Sequence, residues 1–243
     1  MFNWSFVLIA RNEEHTLPRF LDSIQYFLDN GGEVIVVDTG SSDKTASIAR
    51  ERGCKVYEEG NRFKIAINAN KAQEINDYFG VSILKDGDSV FDFASARNYA
   101  ANLSSNSHIS MPDCDEVFTK FYYDRVRDLI NQGVDQFEYN FVFSHDEHGN
   151  EVIKFMHSKF YNRDKQKWVG IIHEVLQGEA NRMYLGEDVL KLEHYQNEKT
   201  NRTGYLKGLA IDCYENPTND RNSHYFGREL LWYGHYVAAI KEL

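Results

Sequence analysis

The sequence predicts an α/β fold in which a mostly parallel, Rossmann-like sheet is flanked by helices and followed by a short C-terminal helical appendage. Three observations support this prediction. Residues 4–10 and 33–38 are nearly continuous apolar runs, typical of strands covered on both faces. Helical patterns alternate with these runs, as in a parallel sheet. Polar or small residues follow each predicted strand directly, and such clusters meet at one edge of a parallel sheet.

The N-terminal quarter of the chain predicts a β-α-β-α-β unit. Apolar side chains recur every three or four positions over residues 17–27, which indicates a helix. A second helix is predicted over residues 44–52 and ends at Gly53, and residues 54–57 form a third strand. Parallel sheets of this kind have right-handed crossovers and bind ligands beyond the carboxyl ends of their strands.

The middle of the chain is expected to contain less regular structure. We predict an insertion or mobile loop over residues 60–90, in which residues 68–78 could be helical and residues 85–89 form a turn. A helix over residues 93–100 then leads to a strand at residues 107–112. A helix is then predicted over residues 120–131. Alternating apolar residues over 136–143 and 152–161 indicate an antiparallel hairpin with a polar tip, where His145 and His148 are expected to be solvated.

From residue 203 onward the pattern predicts helices without strands. One helix covers residues 204–214, and a second runs from 223 to 243, where the sequence ends inside it. We therefore expect a first domain over residues 1–200 and a helical segment over residues 201–243, which is expected to be truncated. A segment this short cannot bury its own apolar face, so it is expected to pack on the main domain or on a partner.

Two acids spaced i, i+2 stand directly after the predicted strand at residues 107–112. In an extended strand such positions face the same side, so Asp113 and Asp115 could both reach one hard cation. Mg²⁺ and Mn²⁺ prefer oxygen ligands that are shared with substrate phosphates. The alternative is a solvated turn whose acids cap a helix. Cys114, between the two acids, is expected to be a small filler residue and not a nucleophile.

The composition excludes some functions and partners. The 243-residue chain has a formal net charge of −10, which disfavours nucleic-acid binding because the phosphate backbone would be repelled. An acidic protein that handles anionic phosphates needs a local cation. Three widely spaced cysteines favour a reducing compartment. No apolar stretch predicts a membrane span and no signal segment precedes the first strand, so we expect a cytoplasmic protein, with peripheral membrane contact left open.

Four motifs, taken in order, resemble those of family 2 glycosyltransferases of the GT-A fold. They are residues 7–14, 36–45, 93–98 and 113–116. The likeness covers residues 4–195. Residues 168–174 and 194–195 resemble the branch of that family that often carries tetratricopeptide-like helices at the C-terminus, and the small and aromatic residues after position 223 resemble one such unit.

The resemblance implies a metal-dependent enzyme that transfers a sugar, with inversion at the anomeric carbon, from a nucleotide-diphosphate sugar. A UDP-sugar is the first expectation for the donor, and the acceptor is a hydroxyl group on a glycan, a lipid-linked saccharide or a polypeptide. The implied cofactor is Mn²⁺ or Mg²⁺. The implied metal ligands are Asp113, Asp115 and His194. The residues implied in binding the nucleotide sugar are Ala10, Arg11, Asn12, Glu13, Asp38, Arg97, Asp113 and Cys114.

An inverting transfer also needs a general base beside the acceptor hydroxyl. The resemblance suggests Glu174, although the Glu-Asp pair common in the family is absent here. His173 could orient Glu174, bind donor phosphate or be a satisfied core histidine. Two other functions stay open. A nucleotidyltransferase has a similar sheet but would need a glycine-rich basic loop after the first strand. A non-catalytic scaffold would bind a protein partner or a second copy through the C-terminal helices.

Overall fold

The computed structural model describes residues 2–195 and 203–243. Its strands are β1 (Trp4–Ala10), β2 (Glu33–Asp38), β3 (Lys55–Glu58), β4 (Lys64–Ala66), β5 (Ser89–Phe91), β6 (His108–Ser110), β7 (Glu116–Phe121), β8 (Gln136–His145), β9 (Glu151–Asn162), β10 (Lys167–Val169), β11 (Val175–Gln177), β12 (Arg182–Leu185) and β13 (Leu190–His194). Its helices are α1 (Leu17–Ser23), α2 (Gln25–Asp29), α3 (Thr45–Glu51), α4 (Ala69–Phe79), α5 (Phe93–Asn102), α6 (Tyr123–Asn131), α7 (Thr203–Glu215), α8 (Asp220–Trp232) and α9 (Tyr236–Glu242).

The first half of the central sheet is parallel. Strands β3, β2, β1 and β6 are neighbours in that order and run in the same direction. The register aligns Ala10 with Asp38 and Phe6 with Ser110. The carboxyl ends of these strands therefore lie at one edge of the sheet, and the predicted α/β class with a mostly parallel sheet is confirmed.

The second half of the sheet is mixed. Strand β9 is antiparallel to β6 and β8, so the predicted hairpin is confirmed. Strand β13 lies parallel to β8 and antiparallel to β7, and β12 also pairs with β8. This order aligns His194 with Glu116 across the β13–β7 pair. The start of the predicted helix at residue 120 is wrong, because pairing with β13 keeps residues 116–121 extended and α6 begins only at Tyr123.

Contacts divide the chain into two compact units, and the sheet belongs to the first. That unit comprises Met1–Arg62, Arg97–Lys167 and Gln177–Glu198. Phe6 and Leu8 of β1 pack with Phe20 and Phe27 from α1 and α2 in its apolar core. Val7, which points to the opposite face of β1, is also fully buried. The sheet is thus covered on both faces, which explains the continuous apolar runs.

The second unit comprises Phe63–Ala96, Trp168–Leu176 and Lys199–Leu243. Its core includes Ile75 and Phe79 of α4, Ile172, and Leu209 and Phe226 of the C-terminal helices. The helix considered over residues 68–78 is present as α4, but the expectation of a mobile loop over residues 60–90 is wrong, because α4 and the antiparallel β4–β5 pair are packed elements of this unit.

The C-terminal helical segment is confirmed, with one difference. The predicted helix over residues 223–243 is interrupted between α8 and α9, where Gly234 has a φ of 80°. Glycine adopts this left-handed conformation without steric cost, and it commonly ends a helix. The predicted domain boundary at residue 200 lies outside the described residues. Within residues 2–195 and 203–243, no helix combines the length and apolar character needed to cross a membrane.

Candidate active site

The loop after β1 is fastened to the loop after β2. Asn12 has a left-handed φ of 58°, and its Oδ1 accepts a hydrogen bond from the Ser42 N–H at 2.8 Å. The Glu13 N–H donates to Thr45 Oγ1 at 2.7 Å. Arg11 is exposed at the start of the loop. These contacts give the segment predicted to bind the nucleotide a fixed backbone with an exposed cationic side chain.

Asp38 organises the loop that follows β2. The side chain is buried, and its Oδ1 accepts hydrogen bonds from the Gly40 N–H at 2.8 Å and the Ser41 N–H at 2.7 Å. The Thr39 N–H donates to the Ala10 carbonyl at 2.9 Å. The buried acid therefore has structural partners in its own loop, while its Oδ2 is left for other partners.

The first acid of the predicted metal pair is held by two cations of the protein itself. Arg97 Nη2 lies 2.7 Å from Asp113 Oδ1, and Lys159 Nζ lies 2.5 Å from Asp113 Oδ2. The same Lys159 ammonium lies 2.6 Å from Glu116 Oε1. Glu116 Oε2 in turn accepts the Asp113 N–H at 2.9 Å. Asp113, whose side chain is 40% exposed, is thus tied to the buried side chains of Arg97, Lys159 and Glu116.

The charges of this network shift the pKa values of both acids. Burial acts to raise the pKa of Asp113, but the charges of Arg97 and Lys159 hold that pKa well below its usual range. Burial, opposed by Lys159 and reinforced by the charge of Asp113, raises the pKa of Glu116 to about 7. Asp113 is therefore ionised at neutral pH and balances one of the two positive charges, while Glu116 is left to balance the other in part.

The second acid, Asp115, faces a histidine. His194 Nε2 lies 3.1 Å from Asp115 Oδ2, and His194 Nδ1 lies 3.1 Å from the Phe143 carbonyl oxygen. The rings of Phe143 and His194 stack with their centroids 5.2 Å apart. Strand pairing explains this arrangement, because β13 brings His194 beside β7, which begins directly after Asp115.

The partners of His194 define its protonation. A carbonyl oxygen only accepts, so Nδ1 carries a proton, and a neutral ring would then face the Asp115 carboxylate with the lone pair of Nε2. Burial acts to lower the pKa of His194, but the hydrogen bond and charge of Asp115 raise it above its usual range. A histidine whose Nδ1–H is held by a carbonyl and whose Nε2 faces a carboxylate has the arrangement of many metal-ligating histidines.

Glu13 adds a further acid to this region. Burial, and then the charges of Asp115 and Asp113, raise the pKa of Glu13, although a hydrogen bond from Thr16 acts in the opposite direction. Cys114 is buried with its Sγ 3.7 Å from the Ile9 carbonyl oxygen, and burial raises its pKa well above the usual range. The cysteine is therefore a neutral filler, and the surrounding acids favour a bound cation.

A cleft of about 470 Å³ opens beside Asp115. All of its described lining residues belong to the first unit. They are His15, Thr16, Arg19, Cys114, Asp115, Val117, Phe143, Ser144, His145, His194 and Tyr195. This volume is in the range of small-molecule sites. The cleft contains one carboxylate, cationic and aromatic side chains, and the two groups suited to a divalent cation.

The structure brings together only part of the predicted site. Asp115 and His194 meet, but Asp113 is turned to Arg97 and Lys159, and the described residues contain no cluster of three metal-ligating side chains. The predicted three-ligand set is therefore not assembled by the protein alone. Arg97, expected to contact phosphate, is engaged by Asp113.

The two residues predicted to act as catalytic base and its partner belong to the second unit. His173 has a left-handed φ of 54°, and its ring stacks on Tyr225 with centroids 4.3 Å apart. Glu174 follows it and is half-buried. Their role stays a prediction.

Several cleft residues were not predicted from the sequence. The expectation that His145 is solvated at a hairpin tip is wrong, because its Nε2 lies 3.0 Å from Glu193 Oε2 and its side chain is 17% exposed. For Lys159 the sequence predicts only a place in the strand at residues 152–161. The contact of His145 with Glu193 and that of Lys159 with Asp113 join segments far apart in sequence, so no local pattern could have indicated them.

Comparison with known proteins identifies a family for the N-terminal part. Residues 5–75 match the model of the family described as glycosyl transferase family 2. A 4,4'-diaponeurosporenoate glycosyltransferase of Staphylococcus haemolyticus is 49% identical over 53 residues, which are 22% of this chain and 14% of that protein. A TPR repeat-containing protein of Synechococcus elongatus is 29% identical over 128 residues, which are 53% of this chain and 24% of that protein. The chain spans a quarter or less of either relative.

Solved structures show more distant likeness. TarS of S. aureus is 13% identical with a TM-score of 0.48, over 95% of this chain and 44% of that chain. A glucosyl-3-phosphoglycerate synthase of Mycobacterium tuberculosis, solved with Mn²⁺, UDP and glucosyl-3-phosphoglycerate, is 22% identical with a TM-score of 0.36, over 58% of this chain and 44% of that chain. The tetratricopeptide-like character of the C-terminal helices stays a prediction. The family predicted from the motifs, glycosyl transferase family 2, is confirmed by the family-model match at residues 5–75.

Proposed function

We propose that this chain is a glycosyltransferase that moves a sugar from a nucleotide-diphosphate sugar, with a UDP-sugar as the first candidate, to an acceptor hydroxyl. The family match of residues 5–75 and the glycosyltransferase relative support this reaction class. The observation that carries the proposal is the pair formed by Asp115 and His194 at the cleft.

The donor groups of this pair fit a divalent cation. A carboxylate oxygen and an imidazole nitrogen 3.1 Å apart face each other, and the opposite ring nitrogen of His194 is already fixed by a carbonyl. Asp115 and His194 are the side chains that would hold Mn²⁺ or Mg²⁺. Such ions commonly take one or two protein ligands and complete their shell with substrate phosphates and water. When bound, the cation supplies positive charge to the diphosphate leaving group.

The protein's own residues then hold the donor. In this proposal the loop after β1, with Arg11 exposed and Asn12 and Glu13 hydrogen-bonded to the loop after β2, would contact the nucleoside together with Asp38. Arg97 and Lys159 keep Asp113 ionised and hold the turn that presents Asp115. Inversion at the anomeric carbon, and a hydroxyl acceptor on a glycan, a lipid-linked saccharide or a polypeptide, belong to the same proposal.

The test is the release of nucleoside diphosphate from a panel of UDP-, GDP-, dTDP- and ADP-sugars, assayed with Mn²⁺, with Mg²⁺ and with EDTA. We expect metal-dependent release from at least one donor, and a loss of roughly 100-fold or more in Asp115→Asn, because the cation site then lacks its carboxylate. Glu147→Gln removes an exposed charge at the hairpin tip and is the matched control. A wild-type rate in Asp115→Asn would exclude the proposed metal site.

A further inference from the structure

A second polar cluster on the cleft is built around a buried carboxylate. Glu193, which is 7% exposed, has Thr119 Oγ1 at 2.8 Å and Lys191 Nζ at 3.3 Å from its Oε1. The Tyr195 hydroxyl lies 3.1 Å, and His145 Nε2 lies 3.0 Å, from its Oε2. An ionised carboxylate offers about four acceptor positions, and here four donors surround it. The acid is therefore used within the protein to orient its neighbours.

This arrangement selects one tautomer of His145. Because the carboxylate only accepts, the His145 Nε2 carries a proton, and the lone pair of the neutral ring is on Nδ1. The ring is held flat against Tyr195, with centroids 5.3 Å apart and an interplanar angle of 16°. Arg19 lies on the Tyr195 ring, with its Cζ 4.8 Å from the centroid. His145 thus has a fixed orientation, and it lines the same cleft as Asp115.

We propose that His145 is the general base of the transfer reaction and that Glu193 is its positioning residue. The inference rests on the glycosyltransferase function proposed above. The acceptor oxygen forms a bond to the anomeric carbon while the bond from that carbon to the diphosphate oxygen breaks and its electron pair leaves with the nucleoside diphosphate. The acceptor proton moves to His145 Nδ1, and Glu193 stabilises the resulting imidazolium. The proton then passes to solvent.

The two carboxylates nearest to the histidines of the cleft are less suited to this role. The carboxylate of Glu193 is surrounded by its own donors, and Asp115 faces His194. His145 combines a fixed ring, a buried carboxylate behind it and a place on the cleft, which is the arrangement that oriented catalytic histidines share.

The experiment compares His145→Gln with the wild type and with His148→Gln, a matched control at the exposed tip of the same hairpin. The readouts are hydrolysis of the donor identified in the panel, the Kd for UDP with Mn²⁺, and the thermal midpoint. We expect His145→Gln to lose about 100-fold or more in kcat. UDP binding, donor KM and the midpoint should not change, and His148→Gln should match the wild type. Glu193→Gln should lower kcat with donor KM unchanged.

Rescue of activity by azide distinguishes a variant that has lost its general base from one in which the donor is misplaced. Azide is already an anion and needs no base, so it should restore nucleoside diphosphate release in His145→Ala, with a glycosyl azide as product. A wild-type rate in His145→Gln, or a loss only in Glu174→Gln, would overturn the assignment while leaving the glycosyltransferase function intact. A His145→Ala rate that azide does not restore would also overturn it. If the wild type neither cleaves a donor nor binds a nucleoside diphosphate with metal, the proposed function fails, and the inference fails with it.

Discussion

The two acids of the motif after β6 have different partners and therefore different tasks. Asp113 is neutralised inside the protein by Arg97 and Lys159, whereas Asp115 meets His194 at a cleft. A buried charge without a partner is costly, so the network around Asp113 is a stability element as well as a scaffold for the site. The i, i+2 spacing alone suggested that both acids serve one cation.

We predict that Lys159→Met strongly destabilises the fold. The substitution leaves the buried Glu116 without its base and the partly exposed Asp113 with Arg97 alone, and removing one partner of a buried ion pair costs about 3–5 kcal/mol. Urea unfolding at neutral pH measures the change. Lys154→Met, on the same strand, removes an exposed ion pair and should change the stability far less. Equal changes in the free energy of unfolding would contradict the prediction, because the buried network would then stabilise the fold no more than an exposed ion pair.

At the scale of elements, α7 holds the segment after β10 in the second unit. Asp212 Oδ2 accepts the N–H of Ile171 at 2.7 Å and of Ile172 at 3.3 Å. The Ile172 side chain packs so closely on α7 that a Cβ at Gly208 would lie 2.2 Å from Ile172 Cγ1. One polar and one steric feature therefore fix the same segment, and each can be tested alone.

Gly208→Ala should destabilise the second unit by about 1–3 kcal/mol, because a methyl group must displace Ile172 in a packed core. Gly204→Ala is the matched control on the same helix. Among the described residues, apart from its chain neighbours and its own helix backbone, no heavy atom lies within 4 Å of its added Cβ, so the substitution should be neutral or stabilise by up to about 1 kcal/mol. Thermal unfolding measures both variants, and a Gly208→Ala midpoint at or above that of the wild type would contradict the packing.

The pH dependence of stability tests Asp212. Burial raises the pKa of Asp212 from 3.8 to about 6, although the hydrogen bonds from Ile172 and Ile171 act to lower it. A carboxyl with a raised pKa stabilises the fold below its unfolded pKa, and this stabilisation is lost as the pH rises through 6. Asp212→Asn keeps an acceptor oxygen and should remove the effect. Between pH 4 and pH 7 the variant should gain about 2 kcal/mol relative to the wild type.

The control for this measurement is Asp86→Asn, an exposed acid in the same unit. Its stability relative to the wild type should not vary across that pH range. If the difference in the free energy of unfolding between Asp212→Asn and the wild type does not change with pH, Asp212 is ionised in the fold without cost.

At the scale of the whole molecule, the parallel half of the sheet was predictable because it depends on local patterns. Continuous apolar runs, helical periodicity and glycine stops mark β1 to β3 and the helices between them, and topology then places their carboxyl ends at one edge. The site was predictable to the extent that it lies at that edge. Asp115 and His194 were named from their motifs, and the structure places them in contact.

The mixed half of the sheet and the other contacts of the site depend on pairing between distant segments. Strand β13 lies between β8 and β7, and this order alone brings Glu193 to His145 and His194 to Asp115. Lys159 reaches Asp113 because β9 lies beside β6. Such contacts join residues 46 to 79 positions apart for which the sequence has no local signal. The same reason explains why the packed elements of residues 60–90 were expected to be a loop.

A formal charge of −10 makes the binding of an anionic diphosphate unfavourable unless a cation is present. The most direct test of the account is therefore calorimetric titration of UDP into the wild type and His194→Gln, with Mn²⁺ and with EDTA. We predict that the wild type binds UDP with Mn²⁺ and loses roughly tenfold or more in affinity with EDTA, and that His194→Gln binds weakly in both. Equal UDP affinity with Mn²⁺ and with EDTA, or unchanged binding in His194→Gln, would contradict it.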